Sequence, residues 1–238
     1  MSTRAGGASS APWQSLNLGA SVGDDALAVA HTRRQLTAWM GCPPVWLHQV
    51  HGSRVVQVGK ADLDGPAPLA DAAWTSDAGV AVAVLVADCL PVLLTTRDGR
   101  AVAAAHAGWR GLAAGVLENT VQALCQGTGA APQELLAWLG ACIGPRVFEV
   151  GEDVLLAFGC TAATADHACF VRRERADGSV RWLANLAQLA RDRLRAVGVN
   201  QVNGGDLCTY EDSSRFFSFR RDGVTGRHAA AIWRRPSA

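Results

Sequence analysis

The stretch Val80-Ala81-Val82-Ala83-Val84-Leu85-Val86-Ala87-Asp88-Cys89-Leu90-Pro91-Val92-Leu93-Leu94-Thr95-Thr96-Arg97-Asp98-Gly99-Arg100-Ala101-Val102-Ala103-Ala104-Ala105-His106 is apolar almost throughout. Asp88, Pro91 and the polar turn around Asp98-Gly99 cut it into pieces of strand length. Residues 80–87, 92–96 and 101–105 therefore read as three buried strands. Asp-Gly between apolar runs favours a tight turn, so the last two strands form a hairpin. That hairpin makes Arg97 face Arg100 and brings Pro91 opposite His106. Cys89 then shares the face of His106 as its diagonal neighbour, with backbones roughly 7–8 Å apart. Pro91 is the exposed point of this register. A proline there implies a strand start or a bulge, and a slip of one residue would turn Cys89 to the other face.

Working outward, a helix is expected from the cap Asp24 through Leu27, Val29, Leu36 and Trp39 to Gly41, where Pro43-Pro44 bars continuation. Residues 45–50 and 54–58 read as short strands around His51-Gly52, and residues 62–71 as a Pro/Gly loop. Beyond the hairpin, Leu112, Val116, Leu117 and Leu124 share one helical face up to Gly127. The second half continues with a strand at 135–140, a turn at Gly144-Pro145, a short helix at 152–158 and strands flanking Asp177-Gly178. The helix that follows buries Leu186, Leu189, Ala190, Leu194 and Val197, with Arg191, Arg193 and Arg195 on a solvated face. Strands at 199–202 and 228–233 close the chain. Strands and helices are mixed without regular βαβ alternation, which favours an α+β fold with mixed β-sheets packed between helices. No repeat or linker divides the chain, so residues 1–238 form one domain.

The 238 residues are 49% hydrophobic, enough to bury a full core, and carry a formal net charge of +1. No global field points to nucleic acid or to an anionic membrane. Lys60 is the only lysine, so an arginine by itself says little about function. The seven cysteines are scattered and include no Cys-x-x-Cys pair, as expected of reduced thiols in a cytoplasmic protein. The longest apolar run, residues 79–94, falls short of the roughly 20 residues that span a bilayer. The N-terminus has no apolar signal core.

Two histidines and a thiol each close an apolar run. His106 precedes Ala107-Gly108-Trp109-Arg110-Gly111, Cys89 follows Ala87-Asp88, and His51 sits before Gly52. His48 and His51 lie three apart and face opposite sides if extended. His51 is the better ligand, because the glycine beside it lets the backbone turn and leaves room for a substrate. His48 is then peripheral. Two His and one Cys leave the fourth position of a tetrahedral zinc open, the arrangement of a catalytic rather than a structural site. The same set fits blue copper, although the axial methionine would have to be Met1 or Met40. Without metal, Cys89 as thiolate and His106 as base make a hydrolytic pair. Free N–H groups at Gly108–Gly111, together with Arg110, suit an anion such as phosphate. Arg4 and Asn17, in polar N-terminal loops, are candidates for phosphate or sugar, against a plain loop-surface role. Tyr210, Phe216, Phe217 and Phe219 are at a density more typical of core than of base stacking.

These motifs resemble the polyphenol oxidase or laccase-domain family. The resemblance runs from Ser2-Thr3-Arg4-Ala5-Gly6-Gly7 and Ser15-Leu16-Asn17-Leu18-Gly19 through Gln49-Val50-His51-Gly52, Ala87-Asp88-Cys89-Leu90-Pro91 and Ala105-His106-Ala107-Gly108-Trp109-Arg110-Gly111. It continues through Ile143-Gly144-Pro145 to Phe217-Ser218-Phe219-Arg220-Arg221-Asp222. It implies α/β/β/α layers and zinc held by His51, Cys89 and His106. It also implies phosphorolysis of adenosine, inosine, guanosine or S-methyl-5′-thioadenosine, and deamination of adenosine. Asn17 and Arg110 are then substrate-binding residues, purine nucleosides and phosphate the partners, and a monomer the expected state. The His-x-Glu and Pro-Cys-x-x-Cys pattern of nucleobase deaminases is absent. Copper-dependent phenol oxidation and a metal-free peptidoglycan-editing hydrolase are the other activities that the resemblance brings with it.

Overall fold

The computed structural model describes residues 1–164 and 168–236. The chain opens with a long polar loop and α1 (Ala26–Met40), then β1 (Pro44–Val45), β2 (Val55–Gln57) and β3 (Ala72–Thr75). The apolar centre forms β4 (Ala81–Val86), β5 (Leu90–Thr96) and β6 (Val102–Ala107), followed by α2 (Trp109–Ala113), α3 (Val116–Thr128) and β7 (Leu135–Leu139). Next come β8 (Glu149–Val150), α4 (Glu152–Ala157), β9 (Phe170–Glu174), β10 (Val180–Ala184) and α5 (Leu186–Ala196). The last elements are β11 (Gln201–Gly204), α6 (Phe219–Asp222) and β12 (His228–Trp233).

The fold is α+β and its sheets are mixed. A six-stranded sheet runs β11-β7-β5-β6-β3-β2, and a three-stranded sheet runs β1-β4-β12. They pack face to face. Val82 and Val84 of β4 meet Val102 and Ala104 of β6, with Ala230 of β12, in the core between the sheets. Alternate residues of the same strands, Val92, Leu94, Ala103 and Ala105, point the other way, to Val121 and Leu124 of α3 and Leu194 of α5. Burial on both faces is why β5 and β6 read as nearly unbroken apolar runs instead of alternating with polar residues. On the far side, Leu36 and Met40 of α1 cover Leu85 and Ala229 of the small sheet. The order is helix, sheet, sheet, helices. A third sheet, β8-β10-β9, flanks this stack.

The hairpin forms in the expected register, with Pro91 opposite His106 and Gly99 at φ 69° in the turn. Pro91 does not shift it. The His106 N–H donates away from β5, to Asp71 O at 2.7 Å, and Pro91 O accepts from Gly140 N–H on the other side. Pro91 and His106 are thus a non-hydrogen-bonded pair, and the N–H that proline lacks is not one the hairpin needs.

Several elements depart from the expectation. Asp25, not Asp24, caps α1, accepting from the N–H groups of Leu27 and Ala28. Val29, Thr32 and Leu36 form its buried face, so Leu27 and Trp39 fall off that stripe and are exposed. The strand expected at 45–50 is only β1, because the chain turns before His51. The helix expected after Leu112 breaks into α2 and α3 at Gly115, which takes φ 90°. The arginines of α5 are not simply solvated. Arg193 reaches Glu118 of α3 at 2.9 Å, and Arg191 donates to Gly204 O of β11.

Candidate metal centre

His106 ends β6 with its side chain 3% exposed. Its Nδ1 lies 2.8 Å from Oδ1 of Asp71, which is fully buried just before β3, the strand paired with β6. Asp71 is an acceptor, so Nδ1 carries the proton and Nε2 is left for a ligand. The same carboxylate accepts backbone N–H groups from Val50 at 3.2 Å, His51 at 2.9 Å and Gly52 at 2.7 Å. These three donors converge because His51 adopts φ 62°, a left-handed conformation that a non-glycine residue takes only when held there. Burial by itself would raise the Asp71 carboxyl, but hydrogen bonds from His106, Gly52 and Val50 outweigh it and hold the group below its ordinary value. One buried carboxylate thus fixes both histidines.

Cys89 stands at the start of β5, and the residue before it, Asp88, is at φ 94°. That corner is clamped on three sides. Asp88 O accepts from Ile143 N–H at 2.9 Å, and its carboxylate accepts from the Thr209 hydroxyl and from Arg220 N–H, both at 2.6 Å. Cys89 Sγ consequently sits 3.8 Å from His51 Nε2, and the donor atoms of His51, Cys89 and His106 all lie within 4.8 Å of one another. Gly108 leaves the space. A Cβ there would stand 3.0 Å from both Cys89 Sγ and His51 Cδ2.

The electrostatics favour the thiolate form of Cys89 and a proton on His106 that a metal ion would displace. Burial raises the Cys89 thiol, but the His106 charge and hydrogen bonds from both histidines bring it down to about 6. Burial lowers His106, while the Cys89 charge and the Asp71 hydrogen bond carry it up to about 9. The metal-free pair is thus a thiolate beside an imidazolium. A tetrahedral zinc with Zn–S near 2.3 Å and Zn–N near 2.0–2.1 Å has a sulfur–nitrogen edge of about 3.6 Å, close to the separation found. The residues present fit zinc. Among the described residues this is the one cluster of three or more His, Cys, Asp or Glu side chains able to hold a metal.

The cluster forms the floor of a cleft of about 640 Å³. Arg110 lines it, its guanidinium 4.4 Å above the Trp109 ring. His48 lies exposed on the wall, outside the ligand cluster. Asn17 is elsewhere. Fully buried, it donates to Asp24 Oδ2 and Gly19 O and accepts from Gly19 N–H and Arg227 N–H, so its amide is saturated. Arg4 donates to Gln14 O and Ser213 O and is not on the cleft lining. Phe216 and Phe217 are core and Tyr210 packs against it, whereas Phe219 is exposed on the cleft wall with Arg220 and Arg227. From the sequence, Asp71 is not singled out, Asp88 reads only as a break in the apolar run, Arg220 only as part of a motif, and Arg227 not at all. The arginine-rich composition masks the last two.

The chain matches the family described as multi-copper polyphenol oxidoreductase laccase over residues 1–235. It is 50% identical over 233 residues to a Pseudomonas aeruginosa protein named purine nucleoside phosphorylase PA4543, an alignment covering 98% of this chain and 91% of that one. It is 48% identical over 234 residues to the Escherichia coli purine nucleoside phosphorylase YfiH, at the same coverages of 98% and 91%. Among solved structures, Neisseria meningitidis protein NMB0706 superposes with a TM-score of 0.88 at 46% identity, covering 98% of this chain and 92% of that chain. YlmD from Geobacillus stearothermophilus gives a TM-score of 0.89 at 33% identity, covering 98% and 90%.

Proposed function

The chain belongs to the multi-copper polyphenol oxidoreductase laccase family, and within that family we propose that it is a zinc-dependent purine nucleoside phosphorylase that also deaminates adenosine. The observation that carries this reading is the His51, Cys89 and His106 cluster in a cleft whose arginine side chains have no carboxylate partner among the described residues. The relatives named purine nucleoside phosphorylase support the substrate class. Adenosine, inosine, guanosine and S-methyl-5′-thioadenosine are the nucleosides, and phosphate is the co-substrate.

In phosphorolysis a phosphate oxygen bonds to C1′ of the ribose as the bond from C1′ to the purine breaks. The electron pair leaves on the base, which takes up a proton, and ribose 1-phosphate remains. When bound, zinc supplies Lewis acidity at the floor of the cleft. Arg110 lends positive charge to the phosphate, and the buried Asp71 keeps His51 and His106 aimed. Asn17 serves the substrate indirectly, by tying residues 19 and 24 of the cleft-side loop to Arg227. Deamination of adenosine adds water at C6 and releases ammonia at the same floor.

Zinc is favoured over copper by where the methionines lie. Met1 packs beside Gly140 and Met40 against α1's own core, and neither lines the cleft, so no axial thioether is at hand. Seven cysteines outside disulfides support a cytoplasmic address, and no helix of the described residues is long and apolar enough to cross a membrane.

A second reading rests on Asp71, His106 and Cys89 as a metal-free hydrolytic relay, favoured by the 2.8 Å contact between Asp71 and His106. One experiment separates the two. Zinc-loaded protein given adenosine and phosphate is expected to form adenine with ribose 1-phosphate, and inosine by deamination, with both lost in Cys89→Ala and after chelation. If neither product exceeds the Cys89→Ala level, the reading fails. Activity that survives exhaustive chelation but still needs Cys89 belongs to the relay.

A further inference from the structure

We propose that Arg227 is the oxyanion-binding side chain beside the metal centre, holding a phosphate group on the free edge of its guanidinium. The side chain is built into place. Its Nη1 donates to Thr225 O at 3.0 Å and to Gly226 O at 3.1 Å, and its backbone N–H donates to Asn17 Oδ1 at 2.8 Å. Its stem passes Gly19, where a Cβ would stand 2.7 Å from Arg227 Cγ. Only glycine leaves that slot open.

With Nη1 anchored, the Nε–H and the two Nη2–H groups have no acceptor among the described residues. This is the edge with which a guanidinium grips a carboxylate or phosphate in a two-pronged contact. The residue is half-buried, lines the cleft with Cys89 and His106, has its guanidinium 5.8 Å from the centroid of the Phe219 ring, and forms no ion pair among the described residues. The negative charges that act on it are those of Cys89 and Asp88. Cys89 belongs to the metal cluster, and Asp88 is spent on the Thr209 hydroxyl and Arg220 N–H. A partly desolvated cation with no ion-pair partner in direct contact among the described residues leaves its free edge for a ligand to fill. Arg110 differs. It is exposed over Trp109 and makes no side-chain hydrogen bond within the described residues, so it supplies charge where Arg227 supplies a fixed fork.

The oxyanion is either free phosphate or a phosphate carried by the substrate. The location of the site is independent of the phosphorylase reading; only the choice of phosphate as its ligand rests on it. The test is calorimetric titration of zinc-loaded protein with inorganic phosphate and, separately, with adenosine 5′-monophosphate. Wild type is expected to bind inorganic phosphate. Arg227→Met should lose about tenfold or more in affinity, since a charge-assisted pair is removed, and Arg227→Lys should fall between them. Zinc content should stay unchanged in both variants. Binding of adenosine 5′-monophosphate alone, lost in Arg227→Met, supports the site and makes the phosphate substrate-borne. Undiminished affinity in Arg227→Met and Arg227→Lys, a loss confined to Arg110→Met, or no binding of either probe to wild type at millimolar concentration would overturn it. Arg227-dependent phosphate binding without phosphorolysis would count against the proposed function and leave the site standing.

Discussion

Asp71 is the residue on which the centre turns, because its carboxylate meets His106 Nδ1 and three successive N–H groups around His51. Removing it frees the ring of one ligand and the backbone of another. Asp71→Ala is expected to weaken zinc binding by about 10–100-fold, the usual effect of losing a group that orients a ligand, with Asp71→Asn less affected. Competition against a chromophoric chelator reads this directly, and an affinity equal to wild type in Asp71→Ala would refute the role. The members of the candidate cluster were legible: Cys89 and His106 follow from hairpin register, and His51 from the glycine beside it. Asp71 was not, since it stands 35 residues from His106 in sequence and closes a Pro/Gly loop where a carboxylate reads as surface. Only the pairing of β3 with β6 brings the two together.

That strand is also where the sequence reading ran short. Ala72-Ala73-Trp74-Thr75 is brief and fully buried, with no alternation to mark it as a strand. By contrast β4 to β6 carried apolar runs punctuated by turn residues, and the register of β5 on β6 was fixed by Asp98-Gly99. The break between α2 and α3 hid behind a helical face continuous across Gly115. The closing strand, β12, begins with a histidine that no motif explains. His228 is fully buried, its Nε2 accepts the Phe217 N–H at 2.7 Å, and the Phe216 and Phe217 rings flank it. Burial lowers it from 6.5 to about 3, which outweighs the hydrogen bonds acting the other way. As pH falls below 6.5 the unfolded chain takes up this proton and the folded one does not, so stability drops with pH until about 3. At pH 5 the loss from this group is about 2 kcal/mol relative to neutral pH. Urea unfolding of wild type and His228→Gln at pH 7 and pH 5 should show a flatter pH dependence in the variant. Equal pH dependence in the two would contradict the assignment.

The layered stack gives the centre its character. Two sheets packed on each other and covered by helices hold β3, β5 and β6, and Asp71, Cys89 and His106 stand at the ends of those strands, beside the loop that carries His51 and next to the cleft. A nearly neutral chain, at +1 overall, still concentrates arginines in that cleft, a local field that net charge does not reveal. The α+β class could be read from how strands and helices are interspersed. The cleft could not, because its walls come from loops as far apart as Gly19 and Arg227, joined through Asn17 and through the Leu18 N–H that donates to Arg227 O at 3.1 Å. All of this rests on one metal at one place. Elemental analysis of the purified protein is expected to find about one zinc per chain, as a single tetrahedral site takes one ion, with that zinc lost on replacing His51, Cys89 or His106 by alanine. Stoichiometric copper, or zinc that persists in Cys89→Ala, would contradict the account.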